Sequence, residues 1–180
     1  MTDSINSSVC FTGHRTINPN KLQAVKEKLY YTITELYNKG HRTFLCGMAI
    51  GFDLLAAELL IELKETYKDI IIIACIPFIG QESRFSPTDQ ERYNKVINSA
   101  DSKVIIARAF SKQSYLLRNI YMLEHSSIVV AYFDMLKKQY EYYKFSFLKK
   151  MTIIFYNFTI YSWQITFFYI IFARDKTIRN

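Results

Sequence analysis

Two glycine-marked segments carry residue types suited to holding an anion: Thr12-Gly13-His14-Arg15 and Gly47-Met48-Ala49-Ile50-Gly51-Phe52-Asp53. Each follows an apolar run and leads into a helical pattern. At such junctions in a parallel α/β sheet, backbone N–H groups and helix N-termini converge on one edge, where they suit phosphate or another anion. Glycine allows positive φ and a close approach of backbone to ligand. In the first segment the Arg15 guanidinium adds a forked donor for phosphate or carboxylate oxygens. The alternative is a tight strand-to-helix turn with a solvated arginine. The reference pKa of a histidine, about 6.5, lies near neutrality, which makes His14 a candidate for proton transfer. No second catalytic partner is identifiable, so His14 is read as a ligand contact and the catalytic residues stay unassigned.

In the second segment the glycine spacing matches neither a Walker loop nor GxGxxG. Asp53 either favours the positive end of its helix, worth about 0.5–1 kcal/mol, or accepts hydrogen bonds from ribose hydroxyls. Glu58, further along that helix, reads as a structural or exposed residue. A third loop, Pro77-Phe78-Ile79-Gly80-Gln81, offers Phe78 to stack on a base and Gln81 to read its edge; the plainer reading is a loop anchored by an aromatic. Arg118 and Asn119 sit in a helical pattern and either face solvent or reach the site. The three histidines are dispersed. No Cys/His spacing suits a metal and no serine nucleophile elbow is present, so no metal is expected.

The elements that must position these residues follow from periodicity. Ser8 to Thr12, Arg42 to Cys46, Ile70 to Ile76, Val104 to Ala107 and Ile128 to Phe133 read as strands. Asn18-Pro19 supplies an N-cap and a first-turn proline to a helix closed by Gly40. A second helix carries Leu54 to Leu63. Thr88-Asp89-Gln90-Glu91 matches a capping box for a third helix, ending at Ser99. Ser111 to Glu124 reads as the fourth. Strands alternating with helices imply a doubly wound, mainly parallel sheet in a three-layer α/β/α sandwich with right-handed crossovers.

The chain has 180 residues, room for one domain with a real core, and 50% of them are hydrophobic. Its net charge of +7 is uneven: 15 Lys/Arg against 14 Asp/Glu up to Met135, then 8 against 2 from residue 136 onward. The core is nearly neutral, which argues against nucleic acid as its partner. Cys10, Cys46 and Cys75 each lie in an apolar run and read as reduced and buried. That and a polar start without signal-peptide regions point to the cytoplasm.

After Asp134 the pattern changes. All five glycines lie at or before Gly80, and residues 136–180 hold 14 of the 29 aromatics. The division drawn is therefore a domain over 1–135 and an aberrant aromatic and basic tail over 136–180 that is not a separate domain. Met151 to Ala173 is uncharged over 23 positions, long enough to span a bilayer but interrupted by Asn157 and Gln164. Membrane contact, if any, is expected only through 151–173.

Together these motifs resemble the YpsA-like branch of the SLOG superfamily, the Rossmann-like group that includes the LOG phosphoribohydrolases and the Smf/DprA proteins. The resemblance rests on Cys10-Phe11-Thr12-Gly13-His14-Arg15, on Gly47 through Asp53 with Ala56-Ala57-Glu58, on Ile76-Pro77-Phe78 with Gly80-Gln81, on Arg92-Tyr93, and on Arg118 through Met122. It covers about residues 8–134. The family normally continues with a Gly-Gly-Thr segment that completes a nucleotide-phosphate site, which this chain lacks, and His125-Ser126-Ser127 departs from the acidic residue often found there. The A/T-rich codons of the tail's residues suggest a gene read out of frame after about residue 134.

The resemblance implies a Rossmann-like fold and binding of a nucleotide or nucleotide-derived small molecule, as a sensor or regulatory module. Its expected contacts are Thr12, Gly13, His14, Arg15, Gly47, Met48, Gly51, Asp53, Phe78, Gln81 and Arg118. The alternatives are a phosphoribohydrolase that cleaves the N-glycosidic bond of a nucleoside 5′-monophosphate, and DprA-like binding of single-stranded DNA. A homo-oligomer is compatible with either.

Overall fold

A computed structural model of the chain describes residues 7–134, 152–153 and 166–172. Its sheet runs β1 (Ser8–Gly13), β2 (Thr43–Cys46), β3 (Ile71–Ile76), β4 (Ser102–Ile105), β5 (Ile128–Asp134), β6 (Thr152–Ile153) and β7 (Thr166–Phe172). The helices are α1 (Pro19–Asn38), α2 (Phe52–Lys64), α3 (Pro87–Ser99) and α4 (Ser114–Glu124), with a short 3-10 turn at Gln81–Arg84. The spatial order is β4-β3-β2-β1-β5-β7-β6. Strands β1 to β5 are parallel. The expected doubly wound α/β sheet is therefore present.

The order dictates where the helices lie. From β1 to β4 the chain steps in one direction across the sheet, and right-handed crossovers put α1, α2 and α3 on the same face. Val25, Leu29 and Ile33 of α1, Leu54 to Leu63 of α2, and Tyr93 and Val96 of α3 pack there against Val9, Phe11, Phe44 and Ile72. Each Leu or Ile buried so contributes about 1.5–3 kcal/mol. From β4 the chain returns to the far side of β1, so α4 must cross the opposite face. Met122 accordingly packs with Cys10, Leu45, Cys75 and Val129. The reversal creates a switch point between β1 and β5, at the carboxyl ends of the strands.

Local chemistry sets the helix ends. Asn18 Oδ1 accepts from Asn20 N at 2.9 Å, with Pro19 in the first turn. The cap of α3 is Ser86, whose Oγ accepts from Asp89 N at 3.2 Å, and not Thr88 as the capping-box pattern suggested. Pro87 explains the difference: its fixed φ suits the first helical position, which moves the cap one residue ahead of it. Helix α4 begins at Ser114 instead of Ser111, because Ser111 and Ser114 bond each other's backbone N–H and hydroxyl and hold a turn. Strand β4 begins at Ser102, ahead of the apolar Val104, because register with Ile73 to Ile76 of β3 decides pairing at this exposed edge.

Strand β7 runs antiparallel to β5 from Ile128↔Phe172 to Asp134↔Thr166, and β6 pairs with β7. The described parts of 151–173, Thr152–Ile153 and Thr166–Phe172, are strands, and the rest of that run lies outside the described residues. Its β-branched and aromatic residues favour a pleated surface over a helix. Among the described residues no helix is long and apolar enough to cross a membrane.

Candidate functional site

The two glycine-marked turns meet at the switch point. Phe52 N donates to His14 O at 3.1 Å, and His14 N donates to Tyr132 O at 3.3 Å, tying the end of β1 to the start of α2 and to β5. Gly51 has φ +85, and a Cβ there would lie 2.4 Å from Arg15 O. A Cβ on Gly13 would lie 2.6 Å from Phe52 Cβ. The approach these glycines allow is between two protein segments. The space a side chain at Gly51 would take is filled by the backbone of residues 14 and 15.

A polar knot lies behind this junction. Arg118 reaches from α4 to Asp53 in the first turn of α2, with Nη1 3.7 Å from Oδ2 and both side chains buried. Its Nε donates to Asn119 Oδ1 at 2.9 Å, while Nη1 has no hydrogen-bond partner among the described residues. Burial pushes the Arg118 pKa down, and the Asp53 charge opposes that shift. Gly47 is the floor: a Cβ there would come within 2.5 Å of both Arg118 Nη1 and Asp53 Oδ2. Asp53 is therefore neither a simple solvent-facing cap nor a free ribose acceptor. It is the counter-charge of Arg118.

Beside it, Met48 is fully buried and left-handed, with φ 58. A non-glycine residue held there stores strain, a feature concentrated at functional sites. Gln81, 1% exposed, holds the loop by donating from Nε2 to Met48 O. Its Oε1 has no partner among the described residues. Two buried polar atoms, one a donor and one an acceptor, thus flank the Gly47-Met48 loop unsatisfied. Each such atom costs about 1–3 kcal/mol unless something meets it.

Phe78 is placed differently from the stacking role considered for it. It is buried, with Phe110 edge-on at 5.2 Å and Tyr115 edge-on at 5.7 Å. The rings nearer solvent are its two neighbours. Arg15 lies 5.0 Å over Tyr115 and Arg84 lies 4.7 Å over Phe110. Thr12, one residue before the end of β1, pairs with Ala131 of β5 and is half-buried. His14 stands edge-on to Tyr132 at 6.0 Å, and Tyr132 stacks on Phe52 at 5.5 Å. Glu58 is structural: Arg92 grips it from Nε and Nη2 at 2.7 and 2.9 Å, clamping α3 to α2.

All the expected contacts therefore gather at one sheet edge, and Tyr115, Phe110 and Tyr132 join them. Sequence reading missed these three. The signal for Tyr115 was its place one helical turn ahead of Arg118, which puts both on one face of α4. Among the described residues no group of His, Cys, Asp and Glu is placed to hold a metal.

Parallel strands with a return crossover and a polar junction at their carboxyl ends define a Rossmann-like α/β domain. The chain belongs to the YspA SLOG family (YpsA), whose model matches residues 9–164. It is 28% identical over 119 residues to a UPF0398 protein of Halalkalibacterium halodurans, covering 65% of this chain and 63% of the relative, just under two thirds. A UPF0398 protein of Staphylococcus epidermidis is 26% identical over 136 residues, covering 71% of this chain and 72% of its own length. The uncharacterized SPbeta prophage-derived protein YoqJ of Bacillus subtilis is 30% identical over 130 residues, covering 65% and 75%.

Proposed function

We propose that this protein binds a nucleotide or nucleotide-derived small molecule over the β1/β5 switch point and acts as a cytoplasmic sensor or regulatory module. The observation that carries the reading is the buried Arg118 Nη1, unsatisfied beside Gly47 and only partly neutralised by Asp53 at 3.7 Å. A guanidinium in such surroundings is an anion receptor waiting for oxygens. Gln81 Oε1, the second orphaned atom, suits an amino or hydroxyl group of the same ligand. Arg15, half a turn of chain beyond the junction, is exposed and suits the outer phosphate oxygens.

Binding without turnover is favoured because the superfamily's hydrolases rely on a glycine-rich segment followed by glutamate, and no glycine follows Gly80 here. The three free, buried cysteines suit a reducing compartment. The test is thermal denaturation of the full chain with adenosine 5′-monophosphate and with adenosine. A ligand that binds only the folded state at about 100 times Kd adds about 2.7 kcal/mol. The monophosphate raises Tm and adenosine does so less. Equal shifts from both, or none with millimolar monophosphate, contradict the reading.

A further inference from the structure

Several cations are matched to carboxylates: Lys26 with Glu62, Lys39 with Glu35, Arg42 with Asp69, Lys64 with Asp101 and Arg92 with Glu58. Among the described residues Lys95, Lys103, Arg108 and Lys112 are not, so pairing alone does not single out a site. Arg15 and Arg84 have no carboxylate partner among the described residues, and both stand at the carboxyl-terminal edge. Of the acids at that edge, Asp53 is engaged by Arg118. Glu82 is half-buried on the same 3-10 turn as Arg84, and its charge acts on Tyr93.

The two arginines are also held alike. Each guanidinium lies over an aromatic ring, Arg15 over Tyr115 and Arg84 over Phe110, and both rings abut the single buried ring of Phe78. A guanidinium resting on a ring face keeps its N–H edges free for oxygens, and the platform restricts the rotamers it would otherwise lose on binding. Phe110, 47% exposed, meets Phe78 edge-on and carries the Arg84 guanidinium over its ring. The result is two like receptors joined through one hub.

Resting on the nucleotide-binding reading above, we infer that Arg84 on its Phe110 platform is a second anion subsite, and that the ligand carries two separated phosphoryl groups. One group belongs at the Arg15 and Arg118 junction and the other at Arg84. The ligand class is a nucleotide with a second phosphoryl group and excludes a plain nucleoside monophosphate as the preferred partner.

Titration of the full chain with adenosine 5′-monophosphate and with adenosine 3′,5′-bisphosphate tests this. Wild type is expected to prefer the bisphosphate by about tenfold, the effect of one added charge-assisted contact. Arg84→Ala removes that preference and leaves monophosphate affinity unchanged. Lys95→Ala deletes an exposed cation on α3 and keeps the preference, which separates a site from diffuse attraction. Equal binding of both ligands by wild type, an undiminished preference in Arg84→Ala, or an equal loss in Lys95→Ala overturns the second subsite while leaving the nucleotide reading intact. Failure of folded wild type to bind either compound overturns both.

Discussion

Arg118 and Asp53 face each other across 3.7 Å of protein interior, one from the fourth helix and one from the first turn of the second, with Gly47 packed against both. Neither charge is screened by solvent, so each depends on the other. Removing one partner of such a pair is expected to cost about 3–5 kcal/mol, while replacing both with apolar side chains costs far less. Arg118→Met alone should therefore lower the urea midpoint sharply, and the double variant Arg118→Met/Asp53→Leu should recover most of the loss. Additive losses in the double variant argue against a coupled pair.

Gly51 and Gly40 share a positive φ and differ in what surrounds them. A Cβ at Gly40 meets nothing within 4 Å, whereas one at Gly51 meets Arg15 O at 2.4 Å. Gly40→Ala should cost about 1–2 kcal/mol, the strain of a left-handed residue alone. Gly51→Ala adds a collision with backbone and should destabilise the chain considerably more. Chemical denaturation of the two variants side by side checks the difference.

Asp101 gives the fold an acid-sensitive contact. Burial pushes its carboxyl up, but the Ile72 N–H at 2.8 Å and the Lys64 ammonium outweigh this and hold its pKa below the usual carboxylate value. A folded pKa below the unfolded one means that the native state releases the proton more readily. The stabilisation is present above about pH 4 and is lost as pH falls through the lowered folded pKa. Wild type should thus lose more Tm between pH 6 and pH 3 than Asp101→Asn, a comparison made by thermal melts across that range.

The cysteine thiols should be inert in the native state. Burial raises the pKa of Cys10 and of Cys75 to about 12 in each case, and that of Cys46 well above its ordinary value. A disulfide reagent at pH 8 is expected to find no reactive thiolate until denaturant is added, when all three cysteines react. Fast native labelling of any of them contradicts this burial.

Alternation of apolar runs with helical spacing was enough to read the parallel sheet and its four helices. Edge strand β4 shifted because register with β3, a non-local matter, overrides the local apolar run. Likewise the meeting of the Gly13 and Gly51 turns was legible as two loops at one sheet edge, but not the fact that each glycine serves the other loop. Arg118 stood open between surface and site for the same reason: nothing within helix α4 reveals a carboxylate on helix α2. Phe78 looked like the stacking ring because it follows a proline at a strand end. Its burial depends on Phe110 and Tyr115, which come from after β4.

The central claim is that phosphate oxygens meet Arg118 and Arg15 at the loop junction. Isothermal titration of the full chain with adenosine 5′-monophosphate against adenosine, in wild type and Arg15→Ala, tests it most directly. The account predicts saturable binding of the monophosphate, at least about tenfold tighter than adenosine as one charge-assisted contact warrants, and loss of most of that difference in Arg15→Ala. Equal affinities for the two compounds in the folded wild type, or a phosphate preference untouched by Arg15→Ala, contradicts it.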